Sequence, residues 1–143
     1  MIVVAPGING KMSEFNAALG LLQLKYIDQA LARRKEIDAA YRALLQGIEG
    51  IECLPDAGEK IANYAYFPIL VDAAYPIGRD ELYQALKDHG IHPRRYFYPL
   101  ISDFPMYRGR PSARRDGLPV AAAAAQKVLC LPIYPALENE HID

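Results

Sequence analysis

The stretch His92–Leu100, HPRRYFYPL, carries the residue types best suited to chemistry in this chain. Arg94 and Arg95 stand against Tyr96, Phe97 and Tyr98, and Arg108, Arg110, Arg114 and Arg115 follow within a short distance. Only Asp103 and Asp116 oppose these six arginines locally, so the segment is a positive island in a chain of net charge −1. Guanidinium forks beside aromatic faces suit a diphosphate and a ring, whether nucleotide or sugar. They equally suit stacked single-stranded bases. A strand that splits its side chains between core and water, followed by a solvated loop, accounts for the same residues.

Other catalytic constellations are missing from the sequence. His89, His92 and His141 are not spaced as metal ligands, and there is no HExxH or Cys/His cluster. No GxSxG, Walker A or GxGxxG motif occurs. The lysines at 11, 25, 35, 60, 87 and 127 include no obvious buried nucleophile. No metal is expected, and no catalytic residue is assigned.

The elements that must position the arginine–aromatic stretch follow from periodicity. Residues 1–12 read as a short apolar strand and a loop punctuated by Pro6, Gly7 and Gly10. Ser13 reads as an N-cap with Glu14 at the positive helix end. One long helical pattern then runs to about Gln46, with Phe15, Leu19, Leu22 and Tyr26, then Ile37, Tyr41, Leu44 and Ile48, on its stripe. Its front half is apolar nearly all round, which predicts burial on more than one side. Its length predicts a bend or a partner surface, and Gly20 is either tolerated there or marks close packing. Ile51–Leu54 and Asn63–Val71 read as strands, with Pro68 pointing to an edge or a bulge. Arg79–His89 reads as an amphipathic helix closed by Gly90 in a Schellman cap, with Ile91 against Leu86. Ile91–Tyr98 extends again, Ser102–Leu118 is irregular, Pro119 opens a helix to Leu129, and Cys130–Tyr134 is a last strand. The tail ALENEHID reads as the start of a further helix.

These elements predict an α/β (α+β-like) class, a small sheet with helices packed on it. At 143 residues and 52% hydrophobic content, the chain can bury about two-thirds of its unfolded surface as one domain. A charged fraction of 23% at near-zero net charge excludes an acidic disordered tail and a bulk-basic nucleic-acid binder. Two cysteines, Cys53 and Cys130, cannot build a disulfide framework, so a reducing compartment is expected. With no apolar run near the ~20 residues of a bilayer span and no signal-peptide pattern, a cytoplasmic protein without membrane contact is expected.

The stretch GINGKMSEFNAALGLLQLKYIDQALARRKEIDAAYRALL resembles the one that follows the cofactor lysine in the DegT-type nucleotide-sugar aminotransferases, pyridoxal-phosphate (PLP) enzymes of the aspartate-aminotransferase fold. Gly7, Asn9, Met12, Ser13, Glu14, Ala17 to Gly20, Gln23, Leu24, Arg33 and Arg34 match that pattern, with Lys11 where arginine is commoner. The helix end Asp80–Ile91, the element Phe97–Leu100 and Leu131–Pro132 also match, so the resemblance covers the whole chain in order.

The resemblance implies that residues 1–12 are a remnant of the large domain, 13–47 a long connecting helix, and 48–143 a small C-terminal domain lacking its last helix. It implies that the cofactor lysine, the aspartate pairing with the pyridine nitrogen and the main phosphate-binding serine lie upstream. The chain alone is then expected to be inactive and to bind no PLP. For an intact enzyme it implies amino transfer from an amino acid, typically glutamate, to a keto-sugar carried on a nucleoside diphosphate. Asn9 would reach the cofactor phosphate of the neighbouring subunit of a homodimer, with Lys11 beside it. Tyr96 falls where many members place a substrate-contacting histidine. The R-R-Y-F-Y-P-L version resembles members acting on deoxythymidine-diphosphate keto-sugars. Arg94 and Arg95 are candidate contacts to the substrate phosphates. Two other readings remain: a non-enzymatic module binding nucleotide or RNA through residues 92–115, and an assembly element that dimerises through the long helix.

Overall fold

The computed structural model describes residues 10–55 and 62–142. The expected strand and loop at the start of the chain lie almost wholly outside the described residues, as does Asn9. Four helices and three strands follow in the order α1 (Glu14–Leu24), α2 (Ile27–Leu45), β1 (Ile51–Cys53), β2 (Phe67–Val71), α3 (Arg79–Asp88), α4 (Pro119–Lys127) and β3 (Val128–Leu131). The mixed class, a small sheet flanked by helices, is as expected.

The long helical pattern is two helices, not one. Ser13 caps α1, its Oγ accepting from the Asn16 N–H at 3.4 Å. At the far end the ladder tightens: Lys25 N–H donates to Leu22 and Tyr26 N–H to Gln23, bonds that skip three residues instead of four. Tyr26, at φ −116° and ψ −1°, then restarts the chain as α2. A 3-10 turn, with neither proline nor glycine, makes the break. α1 buries none of its residues, and a Cβ on Gly20 would meet nothing within 4 Å. The burial expected on several sides of α1 is therefore not met by the described residues.

α2 enters the core with its rear half. Ile37 and Tyr41 are buried against Phe67, Ile69, Val71, Leu129 and Leu137, with Leu45 packed alongside. The buried face thus runs at 37, 41 and 45, one step off the expected 37, 41, 44 and 48, and Leu44 and Ile48 stay exposed. Arg42 ties α2 to the sheet, donating from Nε to Asp38 at 2.9 Å and from Nη1 to the Leu54 carbonyl at 2.7 Å.

The sheet is antiparallel in the order β1–β2–β3, with Cys53 opposite Ile69 and Ile69 opposite Leu129. β2 is five residues long, shorter than the expected 63–71, and it is the central strand, so the edge expected from Pro68 is wrong. The register explains why proline is allowed there. Pro68 faces Cys130, whose own N–H and C=O bond Arg94 on the far side of β3, so the pair is of the non-hydrogen-bonded kind. The Pro68 nitrogen therefore turns toward β1, which ends at Cys53, one residue short of it.

Gly90 closes α3 as expected. It sits at φ +79°, with Ile91 N–H donating to Leu86 and Gly90 N–H to Lys87, both at 2.9 Å. The segment expected to extend over Ile91–Tyr98 forms a single bridge, Arg94 to Cys130, instead of a strand. Residues 101–118 are irregular as expected, carrying three short 3-10 turns. α4 ends at Lys127 and β3 begins at Val128, two residues earlier than the expected last strand. The tail makes a 3-10 turn over Asn139–His141, held to α2 by Arg33, which donates to the Leu137 carbonyl at 2.6 Å and to Asn139 at 2.8 Å. No helix is long and apolar enough to cross a membrane among the described residues.

Candidate functional site

The Arg94–Cys130 bridge divides the arginine–aromatic stretch. Arg94 N–H donates to the Cys130 carbonyl at 2.9 Å and Cys130 N–H returns the bond at 2.8 Å, which fixes the backbone at this point. Successive side chains on an extended chain leave in opposite directions. Arg94 lines a cleft of about 780 Å³, a size that suits a small organic ligand. Arg95 instead pairs with Asp80, Nη1 to Oδ1 at 3.2 Å, and lies over the rings of Tyr83 (4.7 Å) and Tyr98 (5.0 Å). The two arginines thus do not converge on one diphosphate.

Tyr96 is half-buried, its ring 4.8 Å from Tyr66 and 4.1 Å from Phe97. Tyr66 in turn lines the cleft, together with Tyr41 and Tyr134. All three histidines reach the same cleft, beside Glu140. His89 donates from Nδ1 to the Ala85 carbonyl at 2.8 Å, because a carbonyl can only accept, which leaves Nε2 for other partners. Sequence spacing gave no sign of this gathering. His89 and His92 flank the end of α3, and His141 comes from the tail that Arg33 folds back onto α2. No group of three His, Cys, Asp or Glu side chains is arranged to hold a metal among the described residues.

The charge of the following loop is largely spent on itself. Arg114 forks onto Asp116 and Arg115 onto Asp103, the shorter bonds at 2.7 and 2.9 Å. Each arginine holds its partner carboxyl below the ordinary range, chiefly by the hydrogen bond it donates. Three of the six local arginines thus have carboxylate partners, counting Arg95. That weakens the field an RNA strand would follow.

The expected cofactor contacts divide in the same way. Lys11 is exposed at the start of the described chain, where its ammonium is open to a phosphate, and Asn9 lies outside the described residues. The described lysines at 11, 25, 35, 87 and 127 are all exposed. A cofactor lysine needs an enclosed, water-poor setting, so none of these five fits that role. Of the expected donors only Lys11 is among the described residues, and an exposed ammonium fits a phosphate but not the aldimine role.

The chain belongs to the DegT/DnrJ/EryC1/StrS aminotransferase family, whose model matches residues 2–143. It is 54% identical over 140 residues to the dTDP-4-amino-4,6-dideoxy-D-glucose transaminase of Escherichia coli, covering 98% of this chain and 38% of that protein. Its fold matches DesI, solved in the presence of its TDP-sugar product, at a TM-score of 0.84 and 34% identity, over 95% of this chain and 34% of DesI. It also matches the PLP form of the sugar aminotransferase Spr1654 from Streptococcus pneumoniae at a TM-score of 0.83 and 26% identity, over 99% and 36% of the two chains. The chain therefore spans little more than a third of the length of the proteins it matches.

Proposed function

We propose that this chain is the C-terminal portion of a PLP-dependent transaminase that moves an amino group from an amino acid, glutamate in our reading, to a nucleoside-diphosphate keto-sugar. The observation that carries this is the 54% identity, across 98% of the chain, to a dTDP-sugar transaminase. In this reading residues 1–12 belong to the large domain, 13–47 connect the two domains, and 48–143 form the small domain. The intact enzyme is a cytoplasmic homodimer with no nucleic-acid or membrane partner. PLP, when bound, supplies the carbonyl group that accepts and returns the amino group.

This chain's own residues bind and orient. Lys11 offers its positive charge, and Asn9 its amide donor, to the cofactor phosphate of the neighbouring subunit. Arg94 presents a guanidinium to the substrate phosphates from the cleft. Tyr96, braced on Tyr66, offers a ring and a hydroxyl where the resemblance places a substrate contact. Arg95 acts through its neighbours, since Asp80 already holds it.

The chain alone is inactive and binds no PLP in this reading, because its described lysines are exposed. Incubating it with PLP, reducing with borohydride and mapping lysines by mass spectrometry should give no stoichiometric label. A single, specifically labelled lysine would overturn the reading and make this chain an enzyme by itself.

A further inference from the structure

One carboxylate organises the back of the proposed substrate segment. Asp80 Oδ1 lies 2.9 Å from Arg79 Nε and 3.2 Å from Arg95 Nη1. Both guanidiniums face the ring of Tyr98, at 4.8 and 5.0 Å from its centroid, and Arg95 also covers Tyr83 at 4.7 Å. Arg79 is the anchor. Its side chain is only 3% exposed, and Nη1 donates to the Val128 carbonyl at 3.1 Å, the first residue of β3. Its Nη2 is buried with no hydrogen-bond partner, and the approach of Asp80 to Nε falls outside hydrogen-bond geometry. A buried cation is costly unless its charge is met. Here the Asp80 charge and the face of Tyr98 meet it.

The segment so held is strained. Phe97 has φ +45°, left-handed for a residue with a Cβ. Such a conformation persists only where the surroundings over-determine it, and such residues gather at ligand-binding positions. Its neighbours supply that determination, with Tyr96 tilted against Tyr66 on one side and Tyr98 clamped on the other. Phe97 itself is 63% exposed, so core packing does not hold it.

We propose that Asp80 is a positioning residue: by gathering Arg79 and Arg95 onto Tyr98 it fixes the Arg95–Leu100 backbone, and so the place of Tyr96, in the substrate site. The proposal rests on the transaminase reading for its function, though the clamp itself does not. Asp80 is 59% exposed, so replacing it by Asn removes no core packing but leaves the buried Arg79 charge to Tyr98 and the Val128 carbonyl alone.

The test compares Asp80→Asn with Glu81→Gln, which removes a charge from the same first turn of α3 at a carboxylate that accepts from Gly78 N–H at 3.0 Å. Backbone ¹⁵N relaxation on this chain should give order parameters of about 0.85 at residues 95–98, falling below about 0.6 in Asp80→Asn and Tyr98→Leu. Ile69 and Leu129 should be unchanged throughout, Glu81→Gln should match the parent, and Asp80→Glu should restore order. Unchanged order in Asp80→Asn, or an equal loss in Glu81→Gln, would overturn the clamp. In an intact aminotransferase carrying this segment, Asp80→Asn should raise the KM for the sugar nucleotide about tenfold, with kcat and the amino-acid KM unchanged. Lost order with an unchanged sugar KM would overturn the positioning role. A parent enzyme that turned over no nucleotide sugar would instead overturn the transaminase reading, with the relaxation result still standing.

Discussion

Tyr41 and Cys130 hold their protons more tightly than a free phenol and a free thiol, and both do so for reasons of place. Burial pushes the Tyr41 phenol up to about 12, with the nearby Tyr134 adding to it. Its hydroxyl donates to the Pro132 carbonyl at 2.9 Å. Burial likewise pushes the Cys130 thiol up to about 11, against a small opposing pull from Arg94. A raised acid means that the unfolded chain loses the proton first. Stability is then fully present below the ordinary values and falls as pH climbs through the gap. The urea midpoint should decline from about pH 9 as the unfolded thiol ionises, and more steeply from about pH 10 as the phenol joins it. Cys130→Ala should reduce the slope that begins near pH 9, leaving the part due to Cys53, whose thiol burial also raises, and Tyr41→Phe should remove the part that begins near pH 10. A midpoint flat from pH 9 to 12 in the parent would contradict both assignments.

At the scale of elements, two glycines with the same backbone angle do different work. Gly90 at φ +79° ends α3, and a Cβ there would meet open space. Gly50 at φ +80° immediately precedes β1, and a Cβ there would run into the backbone nitrogen of Tyr75. Its carbonyl also accepts from Asp72 N–H at 2.9 Å, so the two chains cannot part without losing that bond. Gly90→Ala should cost only the left-handed strain, about 1–2 kcal/mol. Gly50→Ala should add roughly 1–3 kcal/mol of overpacking to the same strain. Denaturant midpoints of the two variants check this, and equal losses would show that the 50–75 contact yields freely. The contrast was only half legible in the sequence. Gly90 announces itself at the end of an amphipathic helix, whereas the residue that crowds Gly50 lies 25 positions away.

The whole molecule presents α1 as unfinished. Phe15 is 90% exposed, and Leu19, Leu21, Leu22 and Leu24 are all more than half exposed. Burial of each such side chain is worth about 1.5–3 kcal/mol. An apolar surface of this kind associates, and in the proposed enzyme the remainder of the dimer covers it. The isolated chain should therefore self-associate, with a weight-average mass that rises with concentration in sedimentation equilibrium. Changing Leu21 and Leu24 together to Glu should return a monomer with an unchanged melting midpoint, because neither side chain enters the core. A parent chain that stays monomeric at high concentration would refute this.

Features that neighbours along the chain control could be read before any coordinates. Ser13 as a cap, Gly90 and Ile91 as a Schellman end, Pro119 opening α4 and a strand reaching Val71 all depend on residues within a few positions. The motif run from Gly7 to Arg34 identified the family in the same local way. The remaining placements depend on partners distant in sequence. Pro68 tolerates the centre of the sheet because β1 stops one residue short, a fact about a strand 15 residues earlier. The step from 44 and 48 to 45 on α2 depends on where β2 lies, since a helix stripe broad enough for both leaves the choice to its partner. Arg94 and Arg95 look like one phosphate clamp in sequence, but a single bridge to Cys130 sends them apart. Strand pairing, core packing and an ion pair with partners 15 or more positions away settle these placements, and no short-range pattern encodes such partners.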